Sequence, residues 1–536
     1  MKKFLTLFLS IALANLVHAT SFINVQANNP QVAGDPTSNT TARFPTNKQN
    51  EPTIAVNPTN SDLLLLAGAN DEQREPPCGP GPVRGLTAPA NDCSFFPGIG
   101  QSGVYASSDG GLTWTNKGVL DDQAAWVASP FVSDGDPVIV YGPKPDGNGG
   151  FTYANGARAY YASLASYKAG QSPFTSNPNK FPPELIVVSY SDDNGVTWSA
   201  PVIAFTKENP NNFNDKEDIW ADRNPNSPFF GRVFVSWTQY RSAQIINFPS
   251  EPTVVTYSAD GGLSFTAGKQ LSPAGSDVTK NGRQGSAVRS GPDGSVYVAW
   301  EELNAQVVAI SRDGGNKWSR PITIGTVADI EDPIPGANFR TDSFLELAAD
   351  PSVGSSKLYA AWVNRTANGG RVVVSTSSDK GQTWGALVRV STATNGYAFF
   401  QGLDVAPNGR VDIGYQALKA TATNTFGTGN ATIDSYYVNN SGSSWSAPVK
   451  VTTVSSDPAA SAQNDLTRQF WGDYNTLVSS SAKAWFIYTD SRNGFGCSAV
   501  DNYQKNLATV LKPAPQNDCP SSQFGNTDAF VSVITP

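Results

Sequence analysis

An eight-residue phrase recurs along this chain and restricts its folding more than any other feature. It reads SSDGGLTW at 107–114, SDDNGVTW at 191–198, SADGGLSF at 258–265, SRDGGNKW at 311–318 and SSDKGQTW at 377–384. A degenerate copy, VNNSGSSW, stands at 438–445, with Asn440 where the others carry Asp. The five full copies start 53 to 84 residues apart, and repetition at such a period marks stacked or radially arranged units. Asp followed by Gly makes a tight turn, because the carboxylate accepts from backbone N–H groups and Gly takes positive φ. The closing aromatic can then pack into the core and anchor that turn. Strand-like segments flank the phrase: GVYA, LIVVSY, TVVTY, VVAI and RVVVST before it, PVIAF, PITI, LVRV and PVKV after it. Each copy is therefore expected to join the third and fourth strands of a unit. Asp109, Asp193, Asp260, Asp313 and Asp379 are read as structural rather than catalytic.

A second pattern, strand–turn–strand, opens each unit. It occurs at 52–68, 218–237, 286–300, 345–362, 403–415 and 474–488, with a longer version over 136–165. That makes seven units, one more than the phrase itself. The last unit ends on DAFVSVITP, a third strand, and lacks a fourth. A spare strand, SFINVQ (21–26), waits at the other terminus and is expected to complete that unit and close a ring, which removes an exposed sheet edge. With 48 Gly, 38 Pro and 11% aromatics, the composition favours many short strands over helices. The expected fold is all-β: a seven-bladed β-propeller of four-stranded antiparallel blades. Six blades would result if the second unit were an insertion.

The repeated phrase is similar to the Asp box of the bacterial neuraminidase repeat, found throughout the sialidase superfamily and in other β-propellers. The resemblance spans residues 107 to 445 and implies a propeller; activity does not follow from fold alone. Sialidases themselves have six blades. A sialidase would use three Arg to grip the sialic acid carboxylate, a Tyr nucleophile with a Glu partner, and an Asp acid/base. The first Arg of that family sits in an F/Y-R-I-P phrase, which Ala42-Arg43-Phe44-Pro45 echoes. The first innermost strand, however, begins at Asn50-Glu51-Pro52, which puts Glu51 where that Arg would stand. A carboxylate there repels a sialate carboxylate. Arg283, Arg340, Arg365 and Arg492 remain as substrate-binding candidates, and spacing does not sort them into a triad.

The chain begins MKKFLTLFLSIALANLVHATS: a basic start, an apolar stretch and a small-residue cleavage site. That layout is a signal peptide over 1–19, leaving 20–536 as one propeller domain, secreted or periplasmic. Cleavage removes Lys2 and Lys3 and takes the formal charge from −8 to −10. A mildly acidic chain without a basic run argues against nucleic acid, and no later apolar run suits membrane insertion. A monomer is expected, with an extracellular glycan or a protein as ligand. The only His, His18, lies inside the signal, which excludes Ser-His-Asp and Cys-His catalysis and His-ligated metals in the mature chain. Acid–base work must then fall to Asp, Glu, Tyr or Lys. Cys78, Cys93, Cys497 and Cys519 read as two disulfides of an exported chain, with 78–93 and 497–519 the preferred of three connectivities.

In such a ring the repeated phrase and the hairpins between first and second strands share one face. The other face carries the blade-to-blade linkers and the loops between second and third strands. Those loops are long near 69–102, 166–184 and 489–527, and form an expected wall over blades 7, 1 and 2. Residues opening the innermost strands should ring the channel mouth there: Glu51, Asp136, Asp215 to Asp218, Arg283, Asp342, Gln401 and Asp473. Asp71, Glu301, Arg365, Asp490 and Arg492 end second strands on the same face. Clustered carboxylates raise one another's pKa and suit a glycosidase or a Ca²⁺ site, although the sequence requires no cofactor. The catalytic candidates are Glu51, Asp136, Asp218, Asp342, Asp473 and Tyr474, with Trp471 as a sugar-stacking candidate beside the rim. Three readings follow: a sialidase-like propeller acting on or binding glycans, a non-catalytic binding or assembly propeller, and a different polysaccharide hydrolase or lyase.

Overall fold

A computed structural model describes residues 20–29, 48–72, 81–83, 86–88, 102–168, 170–173, 184–205, 212–241, 250–275, 283–419, 431–442, 444–461, 469–499, 502 and 527–536. The signal segment, Arg43, Cys78, Cys93, Cys519 and most of the long-loop wall lie outside these residues. Cys497 is buried at 1% exposure and is not a free thiol; the pairings expected from the sequence also lie outside.

Seven four-stranded antiparallel sheets form a seven-bladed β-propeller. The second unit is a full blade, Phe131–Pro145, Phe151–Tyr167, Leu185–Ser191 and Val202–Ile203, so it is no insertion. The seventh blade combines Thr476–Ser479, Ala484–Asp490 and Asp528–Thr535 with the N-terminal Ser21–Gln26. Ser21 pairs with Thr535 and Gln26 with Phe530, which closes the ring as expected. Asn24 fastens the closing strand to blade 6, donating to Val451 O at 2.6 Å and accepting from Thr453 N at 2.7 Å.

The repeated phrase lies between third and fourth strands. In the second copy Asp193 Oδ1 accepts from Thr197 N at 2.9 Å and Ser191 Oγ at 2.8 Å, and Oδ2 accepts from Thr197 Oγ1 at 2.6 Å. Ser191 Oγ in turn accepts from Gly195 N at 2.8 Å. The same bonds recur around Asp109, Asp260 and Asp379. The phrase also ties a blade that carries it to the one before. Gly195 has φ +82°, and a Cβ there would stand 2.6 Å from Leu66 Cδ2 of blade 1. Carbonyls of the phrase accept across the junctions: Gly110 O from Trp485 at 2.8 Å, Gly261 O from Arg158 at 2.9 Å and Lys380 O from Arg312 at 2.9 Å. Between blades the core is aromatic and aliphatic, with Trp237, Trp300, Trp362 and Trp485 all at 0% exposure.

Candidate functional site

The innermost strands do not run straight to the channel mouth. Their pairing with the second strands slips between Asn50 and Thr53, Gly135 and Val138, Asp215 and Asp218, and Phe399 and Gly402. Each slip is a β-bulge holding one residue at positive φ: Glu51 (50°), Asp136 (51°), Lys216 (56°) and Phe400 (46°). Non-glycine residues rarely adopt this conformation, and bulges re-aim a side chain next to functional sites. Here they turn Glu51, Asp136 and Lys216 into one group with Asp215, Glu217, Asp473, Tyr474 and Arg340, each electrostatically coupled to others in the set.

Glu51 is at 1% exposure. Its Oε2 accepts from Asn70 Nδ2 at 2.6 Å, while its Oε1 receives no hydrogen bond. Burial, and then the charges of Asp136 and Asp473, push its pKa well above the usual carboxylate range. This favours its protonated form, in which it can donate to those neighbours. Asp473 behaves in the opposite way. Burial pushes it up, but the Arg340 guanidinium grips both of its oxygens, Nε to Oδ1 at 2.7 Å and Nη2 to Oδ2 at 2.6 Å, and holds it below the usual value. Such bidentate, charge-assisted pairs are strong and directional. Burial and then Asp136 raise Asp215 to about 7, and the same two causes raise Glu217, which is 4% exposed with neither oxygen partnered. Lys216 Nζ sits 3.0 Å from the Tyr474 ring centroid and 5.4 Å from that of Phe344. Below this cation a cavity of about 490 Å³ runs down the ring axis to the prolines of the first hairpins, Pro58, Pro225, Pro292, Pro351 and Pro407. Asp136, Asp215, Tyr474 and Arg340 are the partly exposed members of the mouth group.

Of the residues singled out in the sequence, Glu51, Asp136, Asp473, Tyr474 and Arg340 meet at the mouth. Others do not. Asp218 turns into the channel, where Arg289 holds it at 2.5 Å, because the bulge at Lys216 shifts the strand's alternation by one residue. Trp471 is no sugar platform: at 0% exposure it stacks on Phe339 with centroids 5.5 Å apart and donates to Gln416 Oε1 at 2.8 Å. Arg283 is spent on Glu302 (2.8 and 2.7 Å) and Arg492 on Asp490 (2.9 and 2.7 Å). Arg365 is exposed near Asp329. Among the described residues these arginines thus form no convergent grip. Asp342 lies to one side, beside Asp329. Lys216 and Glu217 were legible only as part of an acidic run; their placement depends on the bulge.

No family model matches the chain, and no curated protein matches it either. Solved structures do. A Hadza microbial sialidase aligns with TM-score 0.41 and 15% identity over 69% of this chain, which spans 63% of that protein's length. The α-L-arabinanase of Penicillium chrysogenum aligns with TM-score 0.42 and 12% identity over 95% of this chain and 98% of its own. The NanB sialidase from Streptococcus pneumoniae aligns with TM-score 0.37 and 12% identity, covering 88% and 84%.

Proposed function

We propose that this protein is an exported glycan-acting propeller that cleaves a neutral polysaccharide at the acidic mouth, with Glu51 as general acid and Asp473 as the ionised base. What carries this reading is that one cluster pushes two carboxyl groups apart: Glu51 is raised by burial and neighbouring carboxylates, and Asp473 is held down by the bidentate Arg340. Titratable groups whose environments push their pKa values apart supply acid and base at one pH. Asp136 and Asp215, partly exposed, are the carboxylates placed to meet a sugar ring or its leaving group. Tyr474, beneath the Lys216 ammonium, floors the site. A neutral substrate is favoured because five carboxyl groups face only Lys216 and Arg340 here, so a uronate or sialate would meet repulsion without a guanidinium grip. Export follows the signal-like N-terminus, and the cysteines then serve as disulfides.

The test is release of reducing ends from neutral, uronic and sialylated polysaccharides by the purified mature protein. A neutral glycan should be cleaved, and Glu51→Gln should lower kcat by roughly 10²- to 10⁴-fold at unchanged Tm, the usual cost of losing a general acid. Full activity in Glu51→Gln, or binding without turnover of every glycan, would overturn the catalytic reading.

A further inference from the structure

We propose that the lower end of the channel, on the face of the repeated phrase, is a second binding site, in which Arg223 receives the carboxylate of a small apolar acid. The site does not depend on glycan cleavage at the mouth. The cavity that runs down the ring axis reaches solvent on this face, where its lining residues Pro58, Pro225, Asn226, Val353 and Pro407 are exposed. Lys216 and Tyr474 stand at its other end, so a ligand enters from below. Its volume of about 490 Å³ is that of a pocket for a small organic molecule.

Arg223 follows the innermost strand of blade 3 (Asn212–Ala221) and lines this cavity. Its guanidinium carbon lies 4.3 Å from the ring centroid of Trp220, and that of Arg289 lies 4.8 Å from the same indole. The cation–π contact holds the Arg223 guanidinium in place. Among the described residues no carboxylate or carbonyl accepts from it, so its five N–H donors are unspent. The acids of this stretch are already paired. Arg289 holds Asp218 at 2.5 Å and faces Glu346 at 3.5 Å. Asp404 accepts from Val405 N and Ser479 N, both at 2.8 Å, and Arg223 reaches it only through its field, which works against burial at that carboxyl. The unpaired charge at this end is thus a cation, and the group that suits it is an anion. A carboxylate matches a guanidinium with two parallel hydrogen bonds, whereas a dianion such as phosphate would meet more repulsion from Asp404. Ser290, on the same cavity, accepts from Trp220 Nε1 at 3.0 Å and keeps its own O–H for the ligand. Val138, Val478 and the rim prolines supply an apolar wall for the rest of the molecule.

Isothermal titration of the full-length mature protein with hexanoate and phenylacetate tests this, with hexanol and hexylamine as controls. The two carboxylates should bind saturably at one equivalent, and the alcohol and amine at least tenfold more weakly. Arg223→Gln should lower carboxylate affinity at least tenfold at unchanged Tm, because this guanidinium makes no hydrogen bond within the described fold. Arg340→Gln should leave the affinity unchanged, which separates this site from the mouth. Phenylacetate should also raise the Tm of the wild type, since a ligand that binds only the folded state stabilises it, and should not raise that of Arg223→Gln. Absence of saturable carboxylate binding in the wild type, or equal binding of hexylamine, would overturn the proposal. So would affinity that survives Arg223→Gln, or that is lost in Arg340→Gln.

Discussion

The five aspartates of the repeated phrase show how one residue type can be conspicuous in a sequence and remote from chemistry. Each caps its own turn on the face away from the mouth group, accepting from the Thr, Ser or Lys four residues on. The glycine two positions after the aspartate has a role the sequence does not announce, since it lets the turn press against the preceding blade. Gly195→Ala should therefore cost more than an ordinary exposed Gly→Ala change. Its φ of +82° disfavours a side chain, and the new Cβ would meet Leu66 at 2.6 Å. We expect a loss in denaturant unfolding about 1–3 kcal/mol larger than at Gly147, where φ is also positive and costs roughly 1 kcal/mol but nothing stands within 4 Å. Equal effects at both sites would show that strain alone, and not the inter-blade contact, sets the cost.

At the scale of the strand, the blade pattern was legible and the direction of the mouth side chains was only partly so. Seven strand–turn–strand units and the Asp-Gly turns pointed to seven blades, with six left open by the long second unit, and the spare terminal strand pointed to the closure, because both depend on local alternation and turn chemistry. Glu51, Asp136 and Asp473 were placed at the mouth by the same logic. Asp218 was not, because a bulge inserts one residue and reverses every side chain beyond it. No residue in Asp215-Lys216-Glu217-Asp218 marks that bulge; Lys216 takes positive φ without being Gly or Asn. Trp471 failed for another reason. An aromatic beside a rim carboxylate reads equally as ligand platform or as core, and only its packing on Phe339 decides.

Across the whole molecule, the titratable groups fall into two sets that act on stability in opposite senses. Asp215 and Glu346 are raised to about 7, Asp222 and Asp404 to about 6, in each case first by burial. Between about pH 4 and 7 the folded protein holds protons on these groups that the unfolded chain releases, so stability falls as pH rises through that window. The aspartates of the repeated phrase are lowered, Asp379 to about 2 by its Thr383 and Ser377 hydrogen bonds. Their contribution is present above about pH 4 and is lost as pH falls towards 2. The formal charge of −8 adds self-repulsion in the same sense as the first set. Calorimetric Tm should therefore peak near pH 4–5 and decline towards pH 8; a Tm that rises from pH 5 to 8 would contradict this balance.

In the proposed reaction Asp473 works as a base because Arg340 keeps it ionised while Glu51 keeps its proton. The pH dependence of kcat/KM on a cleaved neutral glycan, for wild type and Arg340→Gln, tests it most directly. The wild type should show no acid limb at or above about pH 5 from Asp473, and should lose activity on the high-pH side as Glu51 ionises. Arg340→Gln should gain an acid limb above about pH 4, as Asp473 loses the charge that holds its pKa down. A wild-type acid limb at or above about pH 5, or a profile that Arg340→Gln leaves unchanged, would contradict the assignment of acid and base.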